Sequence, residues 1–145
     1  MYRFIYFADS MKIHATYCSA EKSSAPGEIP AIERYTSRRI QWVNKRAQKH
    51  GEAFFILSGK HGLLNAQEKI AYYDYLLTND ALEGHIQLLS RQLSKLGIQE
   101  VTFFARPISV DPNVLPYIQC FKKSCQMTSC RLDLTTYPPL EEGKR

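Results

Sequence analysis

The amino-acid sequence predicts an α/β fold: a single-domain, three-layer sandwich with a mostly parallel central sheet and helices on both faces. Segments of strand and helix character alternate along the 145 residues at the spacing of βαβ units. The apolar segment 53–58, "AFFILS", has no polar face until its end, which is typical of a strand covered on both sides. Because a chain of this length can bury a core of its own, we take 1–145 as one domain.

The chain begins with two predicted strands and a polar loop. Residues 2–8, "YRFIYFA", are rich in aromatic side chains and are predicted to form an N-terminal extra strand within 1–11. Asp9-Ser10 can turn the chain into a second strand at 12–18, "KIHATYC". The stretch that follows is predicted to be a loop because Pro26, Gly27 and Pro30 interrupt it.

A helix is predicted over residues 31–49, followed by the strand 53–58. Apolar side chains such as Ile40, Val43 and Ala47 are spaced as a helical stripe. Gly51 follows the last periodic residue and is placed to cap the helix.

The second half of the chain continues the alternation. Leucine and isoleucine side chains at three- and four-residue spacing predict a helix over 80–96, which Gly97 closes. A short buried strand is predicted at 100–105, "EVTFFA", then a weaker helix at 111–123 and a last strand at 130–137, "CRLDLTTY".

Composition and charge favour a cytoplasmic protein with an anionic partner. The apolar fraction of 44% and the charged fraction of 23% are those of a globular protein. No apolar run approaches the roughly 18 residues of a membrane span, and the N-terminus lacks the pattern of a signal peptide, so we expect no membrane association. The net charge of +5 favours a nucleotide or nucleic acid, DNA or RNA, as partner. The sequence makes no prediction of the oligomeric state.

The four cysteines do not predict a metal site. Cys120, Cys125 and Cys130 are spaced C-x4-C-x4-C, which differs from the C-x2-C of a zinc knuckle. In a reducing compartment we expect separate thiols, and we expect neither a metal nor another cofactor.

The densest polar cluster stands at the end of the most apolar strand. The loop "SGKHG" consists of Ser58, Gly59, Lys60, His61 and Gly62. Ligand sites of α/β sheets lie beyond the carboxyl ends of the strands. The glycines permit close approach of a ligand, the backbone N–H groups and Lys60 suit an anion, and His61 can transfer a proton. The alternative is a strand-to-helix turn with solvated Lys60 and His61.

Three further clusters suit a ligand site. After the strand 12–18, "CSAEK" offers Cys18 and Ser19 as nucleophiles and Lys22 as a cation, although Cys18 is equally suited to burial for packing. In "RYTSRR", hydroxyl side chains, among them Tyr35 and Ser37, are next to arginines. This arrangement suits contacts with phosphate, or else a solvated basic face of a helix. In "YYDYLL", tyrosines flank a carboxylate and suit either base stacking or the core edge; the residues are Tyr72, Tyr73 and Asp74.

The order of these clusters resembles a family of small bacterial and phage proteins that is often labelled after the peroxide-stress protein YaaA. The shared patterns are C-S-x-x-K, Y-T-S, L-S-[AG]-K-[YH]-G-L-L and Y-D, spread over residues 12–140. The sequence departs from the family pattern at Tyr72, where a proline is usual, and at 105–107, where a glycine-led turn is usual. The resemblance implies an α/β sandwich similar to uracil-DNA-glycosylase-like domains, and therefore a pocket for a nucleobase or nucleotide.

The preferred hypothesis is an enzyme acting on a nucleotide or nucleic acid, by cleavage or base exchange at an N-glycosidic bond. Asp74 would orient water or stabilise the sugar cation, with His61 as the acid. The 58–62 turn and Lys22 would hold a phosphate, and the residues expected to stack on the base are Tyr35, Tyr72 and Tyr73.

Two alternatives belong to other classes. One is a Cys18-dependent hydrolase or transferase. The other is a non-catalytic DNA- or RNA-binding protein of stress response or phage defence, whose binding residues would share one helix face: Arg34, Arg38, Arg39, Lys45 and Arg46.

Overall fold

The structure, a computed structural model, describes residues 11–139. The predicted strand at 2–8 and the turn at Asp9-Ser10 lie outside the described residues. The strands are β1 Met11–Tyr17, β2 Ile29–Pro30, β3 Ala53–Ser58, β4 Gly62–Asn65, β5 Lys69–Ile70, β6 Ile98–Ala105 and β7 Arg131–Thr136. The α-helices are α1 Ala31–Arg34, α2 Arg38–Lys49, α3 Asn79–Leu96 and α4 Leu115–Thr128, the last preceded by a 3₁₀ turn at Pro112–Val114.

The central sheet has five strands in the order β4-β3-β1-β6-β7. β3, β1, β6 and β7 run parallel, and β4 pairs antiparallel with β3. The predicted α/β fold with a mostly parallel central sheet is therefore confirmed. A separate two-stranded sheet joins β2 and β5.

Helices cover both faces of the central sheet. Neighbouring side chains on a strand point to opposite faces. On β6, the Phe104 ring packs edge-on against Trp42 of α2, with ring centroids 5.6 Å apart. The preceding Phe103 ring packs against Phe121 of α4, with centroids 4.7 Å apart. Since α3 packs along α4, one face carries α2 and the other carries α3 and α4.

The predicted helix over 31–49 is two helices. Tyr35 is extended, with φ −90° and ψ 124°, and separates α1 from α2. Ser37 caps α2, its side chain accepting a hydrogen bond from the Ile40 N–H at 3.5 Å. A serine at this position favours a new helix start over a continuous helix. The break turns the Tyr35 and Ser37 side chains into the interior.

None of the helices within residues 11–139 combines the length and the apolar character that a membrane crossing needs.

Candidate functional site

A cavity of about 270 Å³ lies at the carboxyl ends of β1 and β6. Its walls are the loop after β1, the irregular segment 71–78 and the loop after β6. Several candidates from the sequence line it together: Cys18, Ser19, Lys22, Ser37, Arg39 and Asp74. Segments that are far apart in the chain therefore converge on one concave site.

The sheet topology explains why the cavity forms there. From β1 the chain crosses one face through α2 to reach β3, whereas from β6 it crosses the other face through α4 to reach β7. The loops after β1 and β6 therefore leave in opposite directions and open a crevice between two neighbouring parallel strands. This topological switch point is the usual ligand site of open α/β sheets.

A buried cation lies beneath the cavity. Arg39 of α2 is 3% exposed. Its Nη1 donates hydrogen bonds to Thr16 Oγ1 at 2.6 Å and to the Tyr17 carbonyl at 2.7 Å, and its guanidinium stacks 3.6 Å from the centre of the Tyr17 ring. Within residues 11–139, Arg39 Nε has no hydrogen-bond partner. Burial lowers the pKa of Arg39, but a guanidinium titrates so far above neutrality that it stays charged.

Two phenols and a thiol form the inner wall. Tyr17 donates a hydrogen bond to Asp111 Oδ2 at 2.9 Å, and burial raises the pKa of Tyr17 to about 12. The Cys18 thiol donates to the Tyr117 hydroxyl at 3.4 Å, which also accepts from the Leu77 N–H at 3.1 Å. Burial raises the pKa of Tyr117 above its ordinary value, so both phenols are protonated at neutral pH.

The 58–62 loop is a hairpin turn between β3 and β4, and not a strand-to-helix turn. The Ser58 hydroxyl is buried and accepts hydrogen bonds from the N–H groups of Lys60 at 3.1 Å and His61 at 3.0 Å. These N–H groups are therefore satisfied inside the turn, and the expected anion-binding concavity is filled by Ser58 itself.

The two glycines of this turn are required by close packing. A Cβ at Gly59 would lie 2.9 Å from the Tyr117 hydroxyl and 3.0 Å from the Leu77 nitrogen. Gly62 has a φ of +73°, and a Cβ there would lie 2.9 Å from Leu88 Cδ2 of α3. The turn is thus pressed against both helices of that face.

Tyr35 and Tyr73 do not stack on a ligand, contrary to the prediction. Both are buried, and their hydroxyls hydrogen-bond to each other. The Tyr73 hydroxyl is also 2.8 Å from Ser58 Oγ. Burial raises the pKa of each phenol. Of the three predicted stacking residues, Tyr72 is exposed.

Two lysine side chains lie near the ring of Tyr73. Lys22 Nζ lies 4.8 Å and Lys60 Nζ 5.8 Å from its centroid. In the described part of the chain, no carboxylate lies within 4.0 Å of either ammonium group. Lys22 lines the cavity, whereas Lys60 lines a neighbouring groove. Among residues 11–139, Lys22 and Lys60 are therefore two positive charges without an ion-pair partner at the site.

The groove is larger and more open than the cavity, with a volume of about 670 Å³. Its lining includes Lys60, Tyr72, Ala81 and Gly84. Asp74 lines both the cavity and the groove, and so does the adjacent Tyr75. Asp74 and Tyr75 thus border both spaces.

His61 does not fit its predicted role as the acid. Its ring packs edge-on against Tyr73, with centroids 5.3 Å apart, and it lines neither the cavity nor the groove. Burial, followed by the charge of Lys60, lowers the pKa of His61 below 6.5. The imidazole is therefore neutral at pH 7.

The predicted basic helix face is absent. Arg34 is 0% exposed, and its guanidinium donates to four backbone carbonyls. Arg39 is the buried residue beneath the cavity, and Arg46 is half-buried, with Nη1 2.9 Å from His14 Nε2. Of the five basic residues, only Arg38 and Lys45 are exposed.

The structure adds residues that the sequence did not single out. From the loop after β6, Arg106, Asp111 and Asn113 line the cavity, and Tyr117 of α4 completes the wall. The rule that ligand sites follow parallel strands also applies to the predicted strand 100–105, so that rule could have found them.

The remaining cysteines are buried free thiols on and beside α4. Burial raises the pKa of Cys120 to about 12. Within residues 11–139, no three His, Cys, Asp or Glu side chains are grouped so as to hold a metal ion.

Comparison with known proteins gave one match. A family model described as a family of unknown function, DUF6884, matches residues 16–107. The match spans more than half of the chain and includes Cys18, Lys22, Asp74 and Arg106, whereas Asp111 and Tyr117 lie beyond it. No curated protein and no solved structure matches the chain.

Proposed function

Because the chain belongs to the DUF6884 family, whose function is unknown, its activity has to be inferred from the site, and we propose an enzyme that acts on a nucleotide or nucleic acid. The proposed reaction is cleavage or base exchange at an N-glycosidic bond. The observation that supports it is the convergence of Cys18, Lys22 and Asp74 around one cavity at the switch point of the sheet.

The size and lining of the cavity favour a nucleobase with part of its sugar. A volume of about 270 Å³ is at the low end for ligand pockets and suits one small planar molecule. Lys22, Arg39 and Arg106 supply positive charge to the lining; its carboxylates are Glu21, Asp74 and Asp111. A nucleotide, which carries both hydrogen-bonding edges and negative charge, matches this mixture.

The position of Asp74 favours chemistry at the glycosidic bond. In the proposed arrangement the base occupies the cavity and the sugar lies at Asp74, which lines both spaces, so that its carboxylate can reach C1′. Asp74 accepts the proton of an attacking water, the C1′–N bond breaks as the C1′–O bond forms, and the base leaves with the electron pair. Lys22 and Arg106 stabilise the negative charge on the departing base.

The motif order in the sequence also supports this proposal. It resembles proteins labelled YaaA-like and, through them, uracil-DNA-glycosylase-like domains. In the structure, Cys18, Lys22 and Asp74 from these motifs line the cavity, and Tyr73, hydrogen-bonded to Ser58, lines the groove.

The proposal is tested by looking for released base. Nucleoside monophosphates and single- and double-stranded DNA and RNA are incubated with the protein, and free bases are detected by liquid chromatography and mass spectrometry. Asp74→Asn should lower kcat by about 10²-fold or more, with nearly unchanged binding. Asp133→Asn, an exposed carboxylate on β7 away from the cavity, is the control. Wild-type turnover in Asp74→Asn, or no base release from any substrate, would contradict the proposal.

One observation favours a second candidate, a Cys18-dependent hydrolase or transferase. The Cys18 thiol lines the same cavity and is held by the Tyr117 hydroxyl. Alkylation with iodoacetamide, with site occupancy read by mass spectrometry, separates the candidates. If the thiol is the nucleophile, alkylation of Cys18 in the native protein and the Cys18→Ser substitution should each abolish activity. A Cys18→Ser variant that keeps its activity excludes this candidate.

A further inference from the structure

We propose that the substrate is a single-stranded polynucleotide, with one nucleotide in the cavity and its neighbours in the groove. This inference rests on the proposed function and adds the substrate class to it. The first support is that Asp74 and Tyr75 line both spaces, so that nucleotides bound in the cavity and in the groove would be neighbours.

The groove offers more room than a mononucleotide needs. Its volume of about 670 Å³ exceeds the about 270 Å³ of the cavity that holds the base. On α3, Gly84 borders open space, since a Cβ there would meet nothing within 4 Å. The additional room is accounted for by further nucleotides of the same strand.

Aromatic rings and cations alternate along this path. Tyr72 is 53% and Tyr75 45% exposed, so their faces are accessible to bases. Lys22 Nζ lies 6.0 Å from the centre of the Tyr72 ring, and Lys60 lines the groove. Grooves that bind single strands combine exposed aromatic rings, on which bases stack, with cations that contact the phosphates. Lys22 and Lys60, which form no ion pair within residues 11–139, complement a polyanion.

A paired base in a duplex cannot enter the cavity as a base of a single strand can. The bases of a duplex are stacked and paired, and an enclosed cavity receives a base only after it leaves the stack. A single strand meets no such cost. We therefore expect single strands to bind more tightly than duplexes of the same length.

The inference is tested by comparing an oligomer with a monomer. Fluorescence anisotropy measures binding of mixed-sequence, fluorescein-labelled DNA and RNA nonamers, single- and double-stranded, and calorimetry measures nucleoside monophosphates. Single-stranded nonamers should bind at least about tenfold more tightly than monophosphates. Tyr72→Ala should weaken nonamer binding by about fivefold or more and leave monophosphate binding unchanged.

A groove-filling variant provides an independent test. Gly84→Gln places a side chain in the groove, away from the cavity, and replaces a glycine inside a helix, so it should fold at least as well as the parent. It should weaken nonamer binding alone. Lys45→Gln removes a positive charge from an exposed part of α2, outside the groove, and should leave nonamer binding unchanged.

The outcomes separate this inference from the proposed function. Equal affinities for nonamers and monophosphates, with Tyr72→Ala and Gly84→Gln both neutral, would overturn the polymer substrate and leave a mononucleotide enzyme. Duplexes that bind as tightly as single strands would also overturn it. Base release from neither class, with no binding of either, would overturn the proposed function and this inference with it.

Discussion

Replacing Arg34 tests whether this arginine is a structural residue or part of a nucleic-acid interface. Its Nη1 donates to the carbonyls of Ser23 and Ala25, both at 2.8 Å, and its Nη2 donates to those of Gly27 at 2.7 Å and Ile70 at 3.1 Å. One buried guanidinium thus ties the loop before β2 to the end of β5. Arg34→Met keeps an unbranched apolar stem and removes all four hydrogen bonds.

The expected cost of Arg34→Met is about 3–5 kcal/mol. A hydrogen bond to a charged donor contributes roughly 1.5–3 kcal/mol. The losses do not add fully, because carbonyls of the loop can regain water after the substitution. The remaining cost is comparable to breaking a buried ion pair. Since domains are stable by about 5–15 kcal/mol, this loss is a large share of the total.

Guanidinium chloride unfolding followed by circular dichroism measures the effect. Arg38→Met, which replaces an exposed arginine four residues further along the chain, is the matched control and should cost within about 0.5 kcal/mol. Arg34→Lys should also be destabilised, because one ammonium group cannot reach carbonyls on both sides as a guanidinium does. Equal stability of Arg34→Met and Arg38→Met, with weaker nucleic-acid binding by Arg34→Met, would refute the structural role.

Three further predictions address the site and its surroundings. Asp74→Asn should lose about 10²-fold or more in kcat and keep its substrate affinity, as steady-state kinetics and calorimetry would show; a variant with unchanged kcat would contradict the role of the carboxylate. Gly62→Ala should cost about 2–4 kcal/mol in urea unfolding, because it combines a left-handed backbone with a clash against α3. The control Gly51→Ala, where φ is +67° and the surrounding space is open, should cost only about 1 kcal/mol. Equal costs for the two variants would be evidence against the clash. His85 donates to the Ser58 carbonyl at 2.7 Å, and burial lowers its pKa below 6.5, so the unfolded chain takes up this proton at a higher pH than the folded one. The contribution of His85 to stability is therefore present above pH 6.5 and is lost as the pH falls below it. In urea titrations at several pH values, His85→Gln should reduce the dependence of the unfolding free energy on pH. An unchanged dependence would show that other groups cause it.

The parallel strands and the long helix were predictable because their patterns are simple. β3 and β6 are short apolar runs, and α3 has a regular leucine stripe ended by a glycine. The division of the segment 31–49 was missed because its apolar stripe continues across the break, and only Ser37 signals a new helix start. The hairpin after β3 was missed because β4 has four residues, too few for a visible alternation.

The site was predictable in part, for a topological reason. The rule that ligands bind beyond the carboxyl ends of parallel strands placed Cys18 and Lys22 correctly at the cavity. The same rule gave a wrong prediction for the 58–62 loop. There the Ser58 hydroxyl accepts the hydrogen bonds of the backbone N–H groups, and the sequence does not show where a hydroxyl points. Asp111 was missed because a carboxylate at the start of a predicted helix is also a common capping residue.

Charge in the sequence was a poor guide to exposure. Arg34, Arg38 and Arg39 stand close together in the sequence, but only Arg38 faces solvent. The guanidiniums of the other two satisfy backbone carbonyls that the fold encloses. This compensation depends on tertiary structure, and no local pattern reveals it.

The most direct test is a crystal structure of the protein soaked with a single-stranded trinucleotide and, separately, with nucleoside monophosphates. We expect ordered density for a base inside the cavity between Tyr17 and Asp74, with a phosphate beside Lys22 or Lys60. Density against the exposed side of α2 at Arg38 and Lys45, with the cavity empty, would contradict it.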